Sequence, residues 1–359
     1  MDKLTNIANQ FTFQGKVLEI KPLGKGLIND TFLVITDGPF KYVLQRVNNA
    51  IFRDVELLQH NIDCATKHIR KKLEAAGEKD IDRKVLSFVP CTATGKTYWT
   101  DGTEYWRMSV FIPDSFTHEA VDPEHSYYAG KAFGNFEAML ADIPDTLGET
   151  IPDFHNMELR ARQLQEAVKA DAAGRVNTPE VQALLKALLP YQEEMCKAER
   201  LHREGKLPKR ICHCDTKVNN MLFDAAGNVL CVIDLDTVMP SFVFSDFGDF
   251  LRTAANTVAE DSPEIDKVDF RMDIFEAFAK GYLESASSFL TPLEKENLPY
   301  AACLFPYMQA VRFLTDYING DTYYKIQYPE HNLVRTKNQA ALFEAARKKV
   351  PQMKDFIQK

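Results

Sequence analysis

Three short apolar runs open the chain, residues 17–22, 30–36 and 41–47, and turn residues separate them. Runs of this length, bounded by Gly and Asp, read as strands. The spacing then lengthens. Over residues 50–75, Val55, Leu58, Ile62, Ala65, Ile69 and Leu73 recur at intervals of three and four, which predicts one helix with a single apolar stripe. Strands return over 85–112, with 96–100 and 104–112 joined by Asp101-Gly102 as a hairpin turn. From residue 126 the pattern is mostly helical: 127–142, 157–172, 179–203 (which Pro190 should split), 266–289 and 293–318. Pro299 and Pro306 should break or kink the last of these, and Asn319-Gly320 should stop it. Leu4, Ile7 and Phe11 predict a short amphipathic helix ahead of the first strand. No internal repeat, low-complexity segment or long linker is visible.

A helix-rich second half interrupted by one strand pair makes residues 211–236, ICHCDTKVNNMLFDAAGNVLCVIDLD, stand out. Met221–Phe223 and 229–233 are apolar, and Ala225-Ala226-Gly227-Asn228 between them reads as a turn. The resulting hairpin should bring Asn220 back beside Asp234. Just upstream, His213, Asp215, Lys217 and Asn220 are spaced H-x-D-x-K-x-x-N. Asp215 offers a carboxylate to accept a proton. Asn220 and Asp234 add an amide oxygen and a second carboxylate, hard donors that suit Mg²⁺ shared with phosphates.

Composition narrows the field. With 359 residues the chain is long enough for two lobes, and 45% hydrophobic and 26% charged residues are ordinary for a globular protein with a full core. A net charge of −8 argues against nucleic acid as a partner. No run of 18 apolar residues predicts a membrane span, and the start lacks an apolar secretory segment. The seven cysteines follow no framework spacing, which fits reduced thiols in a cytoplasmic protein. Cys212-His213-Cys214 has no second ligand pair spaced for tetrahedral zinc.

Residues 211–236 resemble the aminoglycoside phosphotransferase and choline kinase family, whose loop reads H-G-D-x-x-x-x-N followed by I-D. His213, Asp215, Asn220 and Ile233-Asp234 fill those places. Lys217 instead matches the lysine that Ser/Thr protein kinases carry two residues after the catalytic Asp. The chain is also similar to the N-acetylhexosamine 1-kinases in GKGLINDTFLV, YVLQRVN, HCDTKVNN, IDLDTVMP, DFGD, RFLTDYINGD and YPEHNLVRT.

The resemblance implies an α/β (α+β), bilobal protein-kinase-like fold. Residues 1–112 would form an N-terminal antiparallel-sheet lobe binding nucleotide, and 113–359 a larger, mainly helical catalytic and substrate lobe. Asp215 and Lys217 take the catalytic positions, and Asn220 and Asp234 hold Mg²⁺. Gly24, Gly26 and Asn29 form the Gly-rich turn over the ATP phosphates. Gln45 falls where the family's strand lysine belongs, so Arg46, Lys41 or the Gln45 amide must take its part. Gln45 and Arg46 point to opposite faces of a strand. Glu56, on the first long helix, is expected on the surface.

Asp246-Phe247-Gly248-Asp249 falls too far past Asn220 to be the metal motif, and Asp246 reads as a helix cap. The hexosamine-kinase resemblance places Arg312 and Tyr323 in the sugar pocket, with Asp236 on the substrate side. Arg312 and Asp316, at i and i+4, also have the spacing of a plain surface pair. The expected activity is ATP- and Mg²⁺-dependent phosphorylation of the anomeric hydroxyl of N-acetylhexosamines, by a monomer or weak homodimer. Alternatives are a choline, amino-alcohol or aminoglycoside phosphotransferase and a non-catalytic pseudokinase. A protein kinase is disfavoured, because no A-P-E segment follows Asp234.

Overall fold

The computed structural model describes residues 3–24, 28–118 and 121–358. The chain divides into two compact units. The first contains Met1–His118, Met139–Pro152 and Asn219–Met239; the second contains Glu119–Ala138, Asp153–Val218 and Pro240–Lys359.

The first unit is built on an antiparallel sheet of order β1-β2-β3-β5-β4, from β1 (Val17–Pro22), β2 (Asp30–Thr36), β3 (Tyr42–Val47), β4 (Trp99–Thr100) and β5 (Tyr105–Val110). One face is apolar. Val34, Tyr42, Leu44, Trp106 and Met108 pack there against Ile7 and Ala8 of α1 (Lys3–Ala8). The opposite face is polar at its centre, where Gln45 on β3 stands in register with Arg107 on β5. Cross-strand partners project from the same face of a sheet, so these two side chains meet.

The helix α2 (Val55–Ala75) starts five residues later than its periodicity suggested. Asp54 is the reason, since its Oδ1 accepts the Leu57 N–H at 2.8 Å and caps the helix there. All six stripe residues are buried. After the short α3 (Ile81–Lys84) and the β4–β5 hairpin, the unit is completed by the hairpin of β7 (Met221–Phe223) and β8 (Val229–Val232). Its turn is closed by Asp224, whose Oδ1 accepts N–H groups from Ala226 and Asn228, with Gly227 at φ +84°.

The second unit is helical. It holds α4 (Pro123–Leu140) as far as Ala138, then α5 (Met157–Ala170), α6 (Pro179–Leu188), α7 (Gln192–Met195) and α8 (Lys197–Arg203). The predicted 179–203 helix is split as expected, by a 3-10 turn at Leu189–Tyr191 that contains Pro190. Two short strands, β6 (Arg210–Cys212) and β9 (Met239–Ser241), escaped the sequence reading. Then come α9 (Phe244–Ala254), α10 (Met272–Ala286), α11 (Pro292–Glu296), α12 (Leu298–Ile318) and α13 (His331–Gln358). The 293–318 stretch breaks at Asn297, where Pro299 falls in the first turn of α12 and needs no N–H partner. The helix runs on through Pro306.

No helix among the described residues is long and apolar enough to cross a membrane. An aromatic cluster of Phe247, Phe250, Phe275, Phe278 and Tyr282 joins α9 to α10, with Phe250 and Phe278 stacked at 4.1 Å.

Helix α10 lies against α4 through glycine. A Cβ on Gly281 would stand 2.0 Å from the Tyr127 carbonyl oxygen, and one on Gly130 would stand 2.1 Å from that of Phe278. These are backbone atoms that cannot swing aside. Gly281→Ala should therefore force the helices apart and destabilise by about 1–3 kcal/mol, the usual cost of overpacking. Urea unfolding of this variant beside wild type checks it.

Candidate active site

The loop 213–217 is held by a buried carboxylate. Asp246, in the first turn of α9, accepts the His213 N–H at 2.8 Å on Oδ2 and the Cys214 N–H at 2.7 Å on Oδ1. Its own carbonyl accepts the Thr216 hydroxyl at 2.8 Å. The expectation that Asp246 caps its helix is corrected here: Val243 occupies the cap position, and no side chain caps α9. Asp246 sits three residues further in, and its carboxylate is spent on the loop.

His213 is fully buried between the edges of Phe133 and Phe136, and its Nδ1 faces the Asp215 N–H at 3.3 Å. Cys214 has φ +62°. That left-handed conformation suits glycine, which is the residue the H-G-D pattern carries at this position.

The loop ends by presenting a carboxylate and an ammonium to each other. Lys217 Nζ lies 2.6 Å from Asp215 Oδ1. Burial alone would lower the Lys217 pKa, but Asp215 and then Asp249 outweigh it and raise the pKa above the ordinary value. Lys217 is therefore a fixed positive charge at neutral pH.

Behind the loop, Glu137, Cys212 and Asp246 bring their polar atoms within 4.8 Å of one another. The donor chemistry does not fit a metal. Both Asp246 oxygens accept backbone N–H groups, and Tyr282 donates to Glu137. The Cys212 thiol donates to the Phe242 carbonyl, and burial pushes its pKa well up. Burial, and then the charge of Asp246, raise the Glu137 pKa well above the ordinary value, so this acid keeps its proton.

In the first unit, the β7–β8 hairpin sets Asn220 across from Ile233, the residue before Asp234. The Ile233 N–H donates to the Asn220 carbonyl at 2.9 Å, and Met221 pairs with Val232. The donors that Asn220 and Asp234 offer are an amide and a carboxylate oxygen, a set that fits a hard divalent cation. Asp234, at φ +60°, precedes the 3-10 turn Leu235–Thr237. That turn is pinned from several sides. The Asp236 carbonyl accepts the Thr150 hydroxyl at 3.1 Å, and Asn61 of α2 donates to the Val238 carbonyl at 2.8 Å.

The side chain of Asp236 is buried between an amide and a guanidinium. Its Oδ2 accepts from Asn29 Nδ2 at 2.6 Å, and its Oδ1 lies 2.5 Å from Arg107 Nη1. Arg107 Nε donates to Gln45 Oε1 at 3.0 Å, and Gln45 Nε2 lies 3.2 Å from Thr31 Oγ1. Asn29 also accepts the Asn48 N–H, at 2.9 Å. Gly24, at φ +72° and with open space where a Cβ would project, is required for conformation alone. The Leu23 N–H donates to the Thr31 carbonyl at 2.9 Å. Gly26 lies outside the described residues.

Neither of the other cations considered near Gln45 joins this network. Arg46 faces the other way and pairs with Asp30 and Glu104, while Lys41 is exposed. Glu56 is exposed as expected, bound to Lys96 at 2.6 Å. The sequence reading missed Arg107. Its signal was a lone charge inside an otherwise apolar strand, YWRMSV.

Arg312 and Tyr323 come together in one cavity of about 400 Å³ in the second unit, lined also by Arg160, Gln163, Glu166, Asp316 and Tyr324. The i,i+4 pair of Arg312 with Asp316 does not form. Asp316 instead accepts N–H groups from Thr322, Tyr323 and Tyr324 and the amide of Asn332. Arg312 lies over the rings of Phe154 and Tyr324 and donates to Gln309 at 3.2 Å. Arg160 donates to Gln163 and to the carbonyls of Asp153 and Phe154.

No carboxylate among the described residues lies within ion-pair distance of either guanidinium. Burial, followed by repulsion from Arg312, brings the Arg160 pKa down to about 10. Burial and then Arg312, Arg160 and Arg252 push His155 well below its ordinary value, so its ring stays neutral beside Ser245.

The family model described as the phosphotransferase enzyme family matches residues 19–285. Among solved structures, an aminoglycoside phosphotransferase from Alicyclobacillus acidocaldarius matches 98% of this chain and 96% of its own, with 12% identity and a TM-score of 0.64. A microcompartment-associated aminopropanol kinase covers 98% of both chains at 16% identity and a TM-score of 0.59. An amicoumacin kinase, solved with AMP-PNP and Ca²⁺, matches 98% of this chain and 94% of its own at 13% identity and a TM-score of 0.56. At these identities the likeness is one of fold, and it bears out the kinase-like, α+β architecture.

The buried acid pair has a consequence for stability. Folded Glu137 keeps a proton that the unfolded chain loses above the ordinary glutamate value of 4.5. Stability should therefore fall as pH rises from that value toward the raised one, because the folded state binds the extra proton. Glu137→Gln, which is neutral at every pH, should remove this component. Denaturant unfolding at about pH 5 and about pH 8 should show a smaller difference in the variant than in wild type.

Proposed function

The chain belongs to the phosphotransferase enzyme family, and from that premise we propose that it is an ATP- and Mg²⁺-dependent kinase of N-acetylhexosamines, acting on the anomeric hydroxyl to give the 1-phosphate. The observation that carries the acceptor assignment is the cavity around Arg312. Among the described residues neither of its two guanidiniums has a carboxylate within ion-pair distance; of the two carboxylates that line it, Glu166 is exposed and Asp316 is committed to backbone amides. A cationic acceptor such as choline or an aminoglycoside would need anionic or aromatic contacts that outweigh the two guanidiniums. Here it would meet two guanidiniums, of which Arg160 has its pKa lowered first by burial and then by repulsion from Arg312. A neutral sugar meets guanidinium donors for its hydroxyl and N-acetyl oxygens, and the tyrosine rings of 323 and 324 for its apolar face.

The roles follow from the local chemistry. Asp215 orients the acceptor hydroxyl and takes its proton, and Lys217, fixed in the charged form, stabilises charge on the transferred phosphoryl group. Asn220 and Asp234 hold the divalent cation, which when bound neutralises the phosphate oxygens. Gly24 and Asn29 flank the segment that would cover the phosphates, and Gln45 joins Asn29 through the Arg107 and Asp236 network. None of these steps needs a covalent enzyme intermediate.

The test is an acceptor panel of N-acetylglucosamine, N-acetylgalactosamine, choline and an aminoglycoside, with ATP consumption measured and the product phosphate located by NMR. An N-acetylhexosamine should be the best acceptor and carry the phosphate at the anomeric oxygen. Arg312→Ala should lower kcat/KM for the sugar by about 1.5–3 kcal/mol, the scale of charge-assisted hydrogen bonds, and leave ATP binding unchanged. Choline as the best acceptor would remove the sugar assignment and leave the phosphotransferase one standing.

A further inference from the structure

Arg107 and Asp236 form a buried ion pair at the polar face of the first unit's sheet. Arg107 is 3% and Asp236 4% exposed. The contact atoms, Nη1 and Oδ1, stand 2.5 Å apart without an aligned hydrogen bond to each other or to any other described group. Such a pair is held by charge, and removing either member leaves the other buried and uncompensated. The rest of the network is directional. Arg107 Nε is fixed by Gln45, and Asp236 Oδ2 by Asn29. One carboxylate thus ties three elements together: strand β5 through Arg107, the Gly-rich turn through Asn29, and the 3-10 turn that Asp234 opens.

We infer that Arg107 is a positioning residue for the metal ligand Asp234 and for Asn29, acting through Asp236. The inference rests on the assignment of Asp234 to the divalent cation. Gln45 is neutral, so β3 brings no cation to this face, and Arg107 supplies it from the neighbouring strand. Its guanidinium is buried between a hydrogen bond to Gln45 and the charge of Asp236, a placement for fixing a loop. Asp234 has a positive φ, a left-handed conformation that favours glycine but that aspartate adopts more readily than most residues. Asp236, two residues on, is where Arg107 and Asn29 hold the turn that follows Asp234.

Nucleotide binding with and without metal separates this role from others. ADP affinity would be measured by calorimetry in EDTA and in Mg²⁺ for wild type, Arg107→Lys, the double variant Arg107→Met with Asp236→Asn, and Asp234→Ala. The double variant leaves no buried unpaired charge, so it should fold, and circular dichroism and Tm report whether it does. In EDTA its ADP affinity should stay near wild type. The gain on adding Mg²⁺ should shrink by about tenfold or more, the usual cost of losing a group that orients a metal ligand. Arg107→Lys keeps the charge without the planar fork and should recover part of the gain.

An equal loss in EDTA would overturn the inference, since Arg107 would then touch the nucleotide itself. An unchanged Mg²⁺ gain with only a lower Tm, or a double variant that does not fold while Arg107→Lys behaves as wild type, would reduce the pair to a structural one. Asp234→Ala retaining the full gain would instead refute the metal assignment, and the proposed route with it. That failure shows in a different variant and cannot be mistaken for the others.

Discussion

The second unit depends on one buried carboxylate. Asp246 is sealed from solvent, and burial raises its pKa, yet it accepts two backbone N–H groups from the loop that carries Asp215. Burying a carboxylate is costly unless hydrogen bonds replace its water, and the loop's amides do so. The dependence is reciprocal, because a loop with a left-handed Cys214 would have little reason to hold its shape without that anchor. Glu137 makes the arrangement possible by staying protonated, which keeps a second negative charge out of the same cavity. The aromatic cluster of α9 and α10 keeps Asp246 in place.

The first unit repeats the device with other partners. Asp236 is buried, and it is compensated by Arg107 and Asn29 where Asp246 uses backbone amides. In both units a buried aspartate accompanies a more open one: Asp246 holds the loop of Asp215, and Asp236 lies two residues past Asp234. Phosphoryl transfer asks a protein mainly for fixed charge and fixed geometry. Rigid loops on buried carboxylates supply that at the expense of stability, a trade common at functional sites.

Sequence pattern revealed the sheet strands, the stripe of α2 and the β7–β8 hairpin, because each has a clear period or turn chemistry. It erred on boundaries where a single cap decides, as at Asp54. The 28-residue α13 had no counterpart in the reading. Its buried positions include Asn332, Thr336, Asn338 and Gln339, so polar residues face inward and blur the stripe. Asp246 was misread because its partners are backbone amides more than 30 residues upstream, which leave no trace in composition. Gln45 showed that a charge was missing from β3. Only the register of β3 with β5 shows that Arg107 stands opposite it, and cross-strand register is a tertiary property. The cavity around Arg312 and Tyr323 likewise needed α5 beside α12, which no local pattern encodes.

The account turns on Asp215 as the group that takes the acceptor's proton, held in place by the loop that Asp246 anchors. The most direct test is the kcat of Asp215→Asn with its best acceptor, measured alongside ADP affinity. The change is isosteric, so loop geometry and nucleotide binding should survive. Turnover should drop by about two orders of magnitude or more, the scale of a lost general base. Near-normal turnover with intact ADP binding would contradict the account.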